Sequence, residues 1–182
     1  MKEGINRISI VGGSGTGKTT LSENMAKELN MPVYHLDGIN YHKNWVSRDK
    51  QERDKMILEK INEEKWIIDG TYLTTVEKRL NKSDLIIYLD YSSFAQIRGV
   101  MGRFFKYHGK EKAEIPGCNE QMNSRFFFCV LNWRKNKRAE LMGEVKKIDQ
   151  SKVIIFKNRR QLNKWYQKEF GKKITVNYNL NK

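Results

Sequence analysis

A chain of 182 residues can bury one good hydrophobic core, and with 38% hydrophobic and 11% aromatic residues it falls outside the globally disordered class. Its 35 basic and 21 acidic residues leave a net charge of +14, which favours nucleotides, phosphorylated metabolites or nucleic acid as partners, although lysines spread along the chain also suit a plain soluble surface. No apolar run approaches the roughly 18 residues of a membrane helix, Met1–Gly4 leads straight into a strand rather than a secretory signal, and Cys118 and Cys129 form no C-x-x-C pair. A reduced cytoplasm is the expected setting.

Ile5–Val11 is apolar and β-branched, which predicts a first strand buried on both faces, as in a parallel sheet. Gly12, Gly13, Ser14, Gly15, Thr16, Gly17, Lys18 and Thr19 then fit G-x-x-x-x-G-K-[ST] at every fixed position. Leu21, Met25 and Leu29 recur every four residues behind it, so the segment has the strand–loop–helix setting of a P-loop. Its backbone N–H groups and the helix N-terminus form an anion site. Lys18 is expected to reach the β- and γ-phosphates of a nucleotide, and the Thr19 hydroxyl to bind Mg²⁺. Asn30 and Pro32 end the helix.

Pro32–Leu36 predicts a second strand closed by an Asp37-Gly38 turn, followed by a polar and aromatic loop over Ile39–Val46. Ser47 is expected to cap a helix reaching about Glu63, with Ile57, Leu58 and Ile61 inward. Trp66–Ile68 predicts a third strand ending at Asp69-Gly70. Thr74-x-x-Glu77 reads as a capping box for a helix carrying Val76 and Leu80. Leu85–Leu89 predicts a fourth strand ending at Asp90, and Ser93-x-x-Gln96 a second capping box. That helix is expected to turn Phe94, Ile97, Met101, Phe104 and Phe105 to one side. Tyr107–Cys118 reads as an exposed loop. Asn119 to about Ile148 reads mostly as helix, with Met122, Phe126, Val130, Trp133, Leu141 and Val145 as its stripe and Phe126–Phe128 as packing residues. Lys152–Phe156 predicts a fifth strand. Asn158 and Gln161 open a helix with Leu162, Trp165 and Tyr166, and Lys173–Val176 a further short strand.

Five short strands alternating with helices predict an α/β fold with a parallel sheet covered on both faces and right-handed crossovers. Ligands of such sheets bind beyond the carboxyl ends of the strands, which makes Asp37, Asp69 and Asp90 candidates for the active edge.

The N-terminal P-loop, the Trp66-Ile67-Ile68-Asp69-Gly70-Thr71-Tyr72 segment and the arginines after the fourth strand resemble the small P-loop kinases of the adenylate and shikimate kinase type. Tyr34-His35-Leu36-Asp37 and the Trp133-Arg134 region are also similar to bacterial proteins called DNA topology modulation proteins, whose motifs are those of a kinase. The resemblance implies one domain over 1–182 with strand order 2-3-1-4-5, an acceptor-binding region over about 37–63 and a lid over about 98–140. It implies an ATP-dependent, Mg²⁺-requiring phosphotransferase acting on a small molecule, with Asp69 near the hydrated Mg²⁺ and Thr20 also at the phosphates. Asp37 stands where hydroxyl-phosphorylating relatives contact the acceptor, so it is either a general base or a turn residue. Arg98, Arg103, Arg134 and Arg138 are candidates for the lid arginines. Arg134 and Arg138, four apart, are expected on one helical face, and Tyr107–Cys118 carries lysines but no arginine. Arg159 begins a loop that lies against the nucleotide in relatives. Arg79 resembles the acceptor-phosphate arginine of mononucleotide kinases, whereas Asp69-Gly70-Thr71-Tyr72 departs from the adenylate kinase pattern. His35 reads more readily as a packed polar residue than as a catalyst. Two other classes stay open: a nucleotide-dependent nucleic-acid binder, suggested by the charge, and an ATP sensor without turnover.

Overall fold

In a computed structural model that describes residues 4–112, 114–121 and 124–176, the apolar runs form a parallel sheet. The first half of the chain contributes β1 (Arg7–Gly12), α1 (Lys18–Leu29), β2 (Val33–His35), α2 (Leu36–Asn40), α3 (Lys50–Ile61), β3 (Trp66–Asp69) and α4 (Leu73–Lys82). The second half adds β4 (Leu85–Leu89), α5 (Ser93–Tyr107), a hairpin of β5 (Glu111–Lys112) and β6 (Ile115–Asn119), α6 (Ser124–Asn136), α7 (Arg138–Lys147), β7 (Val153–Phe156) and α8 (Arg159–Phe170). The main sheet has the order β2-β3-β1-β4-β7, all parallel, which is the expected 2-3-1-4-5 arrangement with β7 as the fifth strand.

Alternation along the strands divides the core into two layers. Ile10, Ile87 and Leu89 face Leu21 and Met25 of α1 and Leu162 and Tyr166 of α8. Val11, Ile86 and Tyr88 face Val76 and Leu80 of α4 and Leu141 and Val145 of α7. Ile57 and Ile61 of α3 cover Trp66 and Ile68 in a third cluster. Each fully buried aliphatic side chain here is worth roughly 2 kcal/mol by transfer from water. Asn30 in the left-handed conformation closes α1, and Asn158 caps α8 by accepting from the Gln161 N–H, both as the sequence predicts.

Several local expectations fail. Asp37 and Gly38 lie inside α2 rather than in a turn. Ser47 is held extended by an antiparallel bridge to Tyr41, so the cap of α3 passes to Asp49, whose carboxylate accepts from the Gln51 and Glu52 N–H groups. Thr74 falls within α4, where its hydroxyl donates to Asp54 instead of capping, and Ser92 rather than Ser93 caps α5. On α5 the inward face is Gln96, Val100 and Tyr107, while Phe94 and Phe105 are each 75% exposed. Close approach to the P-loop explains this: Gly99 lies against the Gly15 carbonyl, and a Cβ on either glycine would overlap the other element. Tyr107–Cys118 is no exposed loop, because the β5–β6 hairpin buries Ile115 and Cys118 completely. The helix expected over Asn119–Ile148 starts at Ser124 and is divided between α6 and α7 at Lys137, and Phe128 is 59% exposed. Met122 lies outside the described residues. Lys173–Val176 forms no strand. Thr175 is instead pinned to Asn24, whose side chain accepts from its N–H and donates to its carbonyl.

Candidate functional site

The carboxyl ends of β1, β2 and β3 meet where the P-loop turns into α1. Gly15 and Gly17 take φ of 75° and 91°, in the left-handed region open to glycine, and this curls the loop. Thr16 donates to the Gly13 carbonyl at 2.9 Å, and the Lys18 ammonium folds back onto the same oxygen at 2.9 Å. The Thr71 hydroxyl bridges the N–H and C=O of Gly12 at 3.1 and 3.0 Å, fixing the strand-to-loop exit. Arg159, the first residue of α8, lays its guanidinium beside Gly17, where a Cβ would be 2.8 Å from it.

Asp69 is 4% exposed and stands opposite His35 in the β2–β3 register. That pairing explains the 2.7 Å contact between His35 Nδ1 and Asp69 Oδ2. The single proton of the Ser22 hydroxyl is shared between the same oxygen and the Thr19 carbonyl, 2.9 Å away, so one side chain joins the first turn of α1 to β3. Burial opposes the charge on Asp69, but the His35 charge and hydrogen bond, the Ser22 hydroxyl and Lys18 together hold its carboxyl below the usual range. Burial likewise opposes a charged His35, yet Asp69 and the nearby Glu114 and Glu23 lift its pKa to about 9. Lys18 is lowered by burial, partly offset by Asp37 and Asp69, with Arg103 and Lys112 pushing it further down.

Asp37, at the start of α2, is exposed and accepts a hydrogen bond from the Tyr72 hydroxyl at 3.2 Å. Burial, then the Asp37 charge, pushes the Tyr72 phenol far above its ordinary value, so it stays a donor. The Arg53 guanidinium lies 4.8 Å over the Tyr72 ring and reaches Asp54, Asn40 and Thr74. Opposite them the hairpin descends. The Glu114 carbonyl packs so tightly on Gly38 that a Cβ there would overlap it. Trp45 sits at φ 60°, unusual for a bulky side chain. Its N–H donates to Cys118 Sγ at 3.2 Å, its indole donates to the Asn119 carbonyl at 3.0 Å, and the Cys118 thiol donates to the His42 carbonyl at 3.2 Å. The loop around Trp45 and the hairpin are thus clamped together.

The arginines separate. Arg103 donates to Glu120 at 2.9 Å and is near enough to Lys18 to act on its charge. Arg138 forks onto Asp90 at 2.6 and 2.7 Å, Arg134 stands 3.5 Å from the same carboxylate, and Lys157 closes the cluster at 2.6 Å. Arg134 and Arg138 do converge, across the α6–α7 junction rather than along one helix, and they converge on a carboxylate. Arg98 is exposed on α5. Arg79 is fully buried and donates to the Gly70 carbonyl at 2.8 Å, with burial drawing its pKa down to about 10, so the acceptor-phosphate role implied by resemblance does not fit it. The sequence reading missed Ser22, Arg53, Thr71, Tyr72 and Lys112 and set His35 aside. Ser22 was the most accessible of these, one helical turn beyond Thr19 and so on the same face.

Thr19 and the ionised Asp69 supply the hard oxygen donors that suit Mg²⁺. Ser22 ties Asp69 to the first turn of α1, the turn that carries Thr19. Among the described residues no group of three or more His, Cys, Asp or Glu side chains could hold a metal ion alone.

The comparisons agree on the architecture. Residues 8–82 match the family model described as "ATPase family associated with various cellular activities (AAA)". No curated protein matches the chain. A shikimate kinase from Acinetobacter baumannii, solved with shikimate, superposes with a TM-score of 0.59 at 16% identity over 95% of this chain and 97% of that one. The shikimate kinase of Bacteroides thetaiotaomicron gives 0.54 at 17% identity over 91% and 96%. A gluconokinase from Sinorhizobium meliloti gives 0.54 at 12% identity over 93% and 92%. The chain therefore has the P-loop NTPase architecture and the fold of the small P-loop kinases. No helix among the described residues is long and apolar enough to cross a membrane.

Proposed function

We propose that this protein is an ATP-dependent, Mg²⁺-requiring phosphotransferase whose acceptor is a small molecule bearing an alcohol. The observation that carries the reading is the meeting of Lys18, Asp69 and Asp37 at three adjacent strand ends, close enough for both carboxylates to act on the Lys18 charge. The P-loop N–H groups and Lys18 would bind the nucleotide phosphates, and Arg159 would flank them. Thr19 and Asp69 would hold Mg²⁺, which supplies charge neutralisation between the β- and γ-phosphates. The acceptor would lie over about 37–63, beneath a lid over about 98–140.

Asp37 would take the hydroxyl proton as the acceptor oxygen bonds to the γ-phosphorus and the bond to the β-phosphate oxygen breaks, releasing ADP. Tyr72, donating to Oδ1, would orient that carboxylate. The two solved shikimate kinases and the gluconokinase are similar in fold, and by name each acts on a small hydroxylated molecule. Phosphate transfer from labelled ATP, surveyed over sugar acids, alcohol metabolites, nucleosides and mononucleotides, tests the proposal. Asp37→Asn should reduce transfer about a hundredfold with nucleotide affinity unchanged. Transfer only to mononucleotides, insensitive to this change, would overturn the alcohol assignment.

A nucleic-acid reading rests on the net charge of +14. The stretch offered for it, Trp133–Arg138, is otherwise engaged: Trp133 packs on the core, and Arg134 and Arg138 hold Asp90.

A further inference from the structure

Asp69 is held by one of its two oxygens. His35 Nδ1 meets Oδ2 at 2.7 Å, and the Ser22 hydroxyl shares its proton between that oxygen and the Thr19 carbonyl. Among the described residues no hydrogen bond reaches Oδ1. Asp90, on the other side of β1, is the internal standard. It is equally buried, yet both of its oxygens are used: Arg138 donates to Oδ1 at 2.6 Å and to Oδ2 at 2.7 Å, and Lys157 donates to Oδ2 at 2.6 Å. An ionised carboxylate offers about four acceptor sites, and a buried oxygen left without a donor is costly. A carboxylate kept only to tie β3 to its neighbours would close on both sides, as Asp90 does.

The two donors reach Asp69 from fixed positions. His35 is its register partner across β2 and β3, and Ser22 is fully buried one helical turn beyond Thr19. The terminal torsion of a free aspartate is broad. Two donors that meet one oxygen from different elements narrow it, and so fix the direction of Oδ1. Thr19, whose hydroxyl suits Mg²⁺, belongs to the same hydrogen-bonded chain through its carbonyl. Outer partners of this kind orient a metal's ligands and set its affinity.

We infer that His35 and Ser22 are positioning residues, which hold Asp69 by Oδ2 from β2 and α1 and leave Oδ1 for the hydrated Mg²⁺ of the bound nucleotide. This rests on the assignment of Thr19 and Asp69 to Mg²⁺ in the proposed kinase reading, and it gives His35, a packed polar residue by sequence, a part in metal affinity.

The test uses Mn²⁺ as a paramagnetic probe, titrated by electron paramagnetic resonance into the full chain loaded with a non-hydrolysable ATP analogue. Calorimetry gives the affinity of the analogue without metal, and thermal melting checks each variant. His35→Leu should weaken Mn²⁺ about tenfold or more. Ser22→Ala, which removes one hydrogen bond, should weaken it about threefold. Affinity for the metal-free analogue should stay within about twofold in both. His35→Asn, whose amide N–H can stand where Nδ1 stands, should recover most of the Mn²⁺ affinity. A purely structural pair would lower the melting temperature and leave Mn²⁺ affinity of the folded protein unchanged. Ser22→Ala carries the test if His35→Leu fails to fold. Unchanged Mn²⁺ affinity in the folded variants, or an equal loss for the metal-free analogue, would overturn the inference. The expected Mn²⁺ losses in a protein that phosphorylates no acceptor would keep the inference and remove the kinase reading. Phosphate transfer by wild type, with Mn²⁺ affinity unchanged in His35→Leu and Ser22→Ala, would do the reverse.

Discussion

Asp69 and Asp90 look alike in the chain and do different work in the fold. Both stand at the carboxyl end of a fully buried strand neighbouring β1, and both are 4% exposed. Asp69 is met by His35 from β2, by Ser22 from α1 and by the charge of Lys18, all beside the P-loop. Asp90 is met by Arg138 at the start of α7, by Lys157 beyond β7 and by Arg134 of α6. Its cluster ties two helices and the outer strand to the sheet, and it engages two arginines that the resemblance would have sent to the phosphates. The role of a strand-end carboxylate is thus set by the elements that deliver its partners, not by the strand it ends.

The largest expected effect on the Asp69 side comes from Lys18→Ala, which should lower phosphate transfer at least about a hundredfold. Its melting temperature should not fall, because the side chain removed is an ammonium disfavoured by burial. Asp69→Asn should cost transfer about ten- to a hundredfold, and raising Mg²⁺ should recover part of it. The two carboxylates would cease to differ if Asp69→Asn melted as early as Asp90→Asn with no separate loss of turnover.

Asp90→Asn should act mainly on stability. It leaves three cations around a neutral amide, so denaturant titration should show a loss of about 3 kcal/mol. The pH dependence carries the same signature. Burial opposes the charge on Asp90, but hydrogen bonds from Arg138 and Lys157 hold its pKa down to about 2, below the unfolded value near 3.8. A carboxyl depressed in the folded state stabilises fully above its unfolded pKa and loses that contribution as pH falls toward 2. Acid unfolding of wild type should therefore steepen between about pH 4 and 2, and that limb should flatten in Asp90→Asn.

The smallest effect sharpens the contrast from the other end of β4. Asp84 lies at the amino edge of the sheet and accepts from the N–H groups of Asn6 and Arg7 at 3.0 and 2.9 Å. Asp84→Ala should cost about 1 kcal/mol of stability and leave transfer unchanged, since ligands of such sheets bind at the opposite edge.

How far the site could be read in advance follows from how its parts are spaced. The P-loop, its flanking strand and helix and the core stripes of α1, α4 and α8 were legible, because each depends on residues within a few positions of one another, whereas the strand order came from the resemblance alone. The capping sites shifted by one or two residues for Ser47 and Ser93 because a bridge or a neighbouring serine competed for the same backbone. The hairpin was hidden more deeply. Glu111, Lys112 and Glu114 have the composition of a solvated loop, yet Lys112 is buried against the Trp45 ring and the Glu114 carbonyl rests on Gly38, residues close to the hairpin only after folding.

Taken alone, the sequence determined that a P-loop stands at the head of a parallel sheet, because glycine freedom, helix periodicity and a lysine at fixed spacing are local properties of the chain. Tertiary structure decided which charges surround that loop. The pairing of His35 with Asp69, of Tyr72 with Asp37 and of Arg138 with Asp90 each joins residues at least 34 apart in the chain. Electrostatic partnership depends on distance and burial, and neither is written in the order of residues.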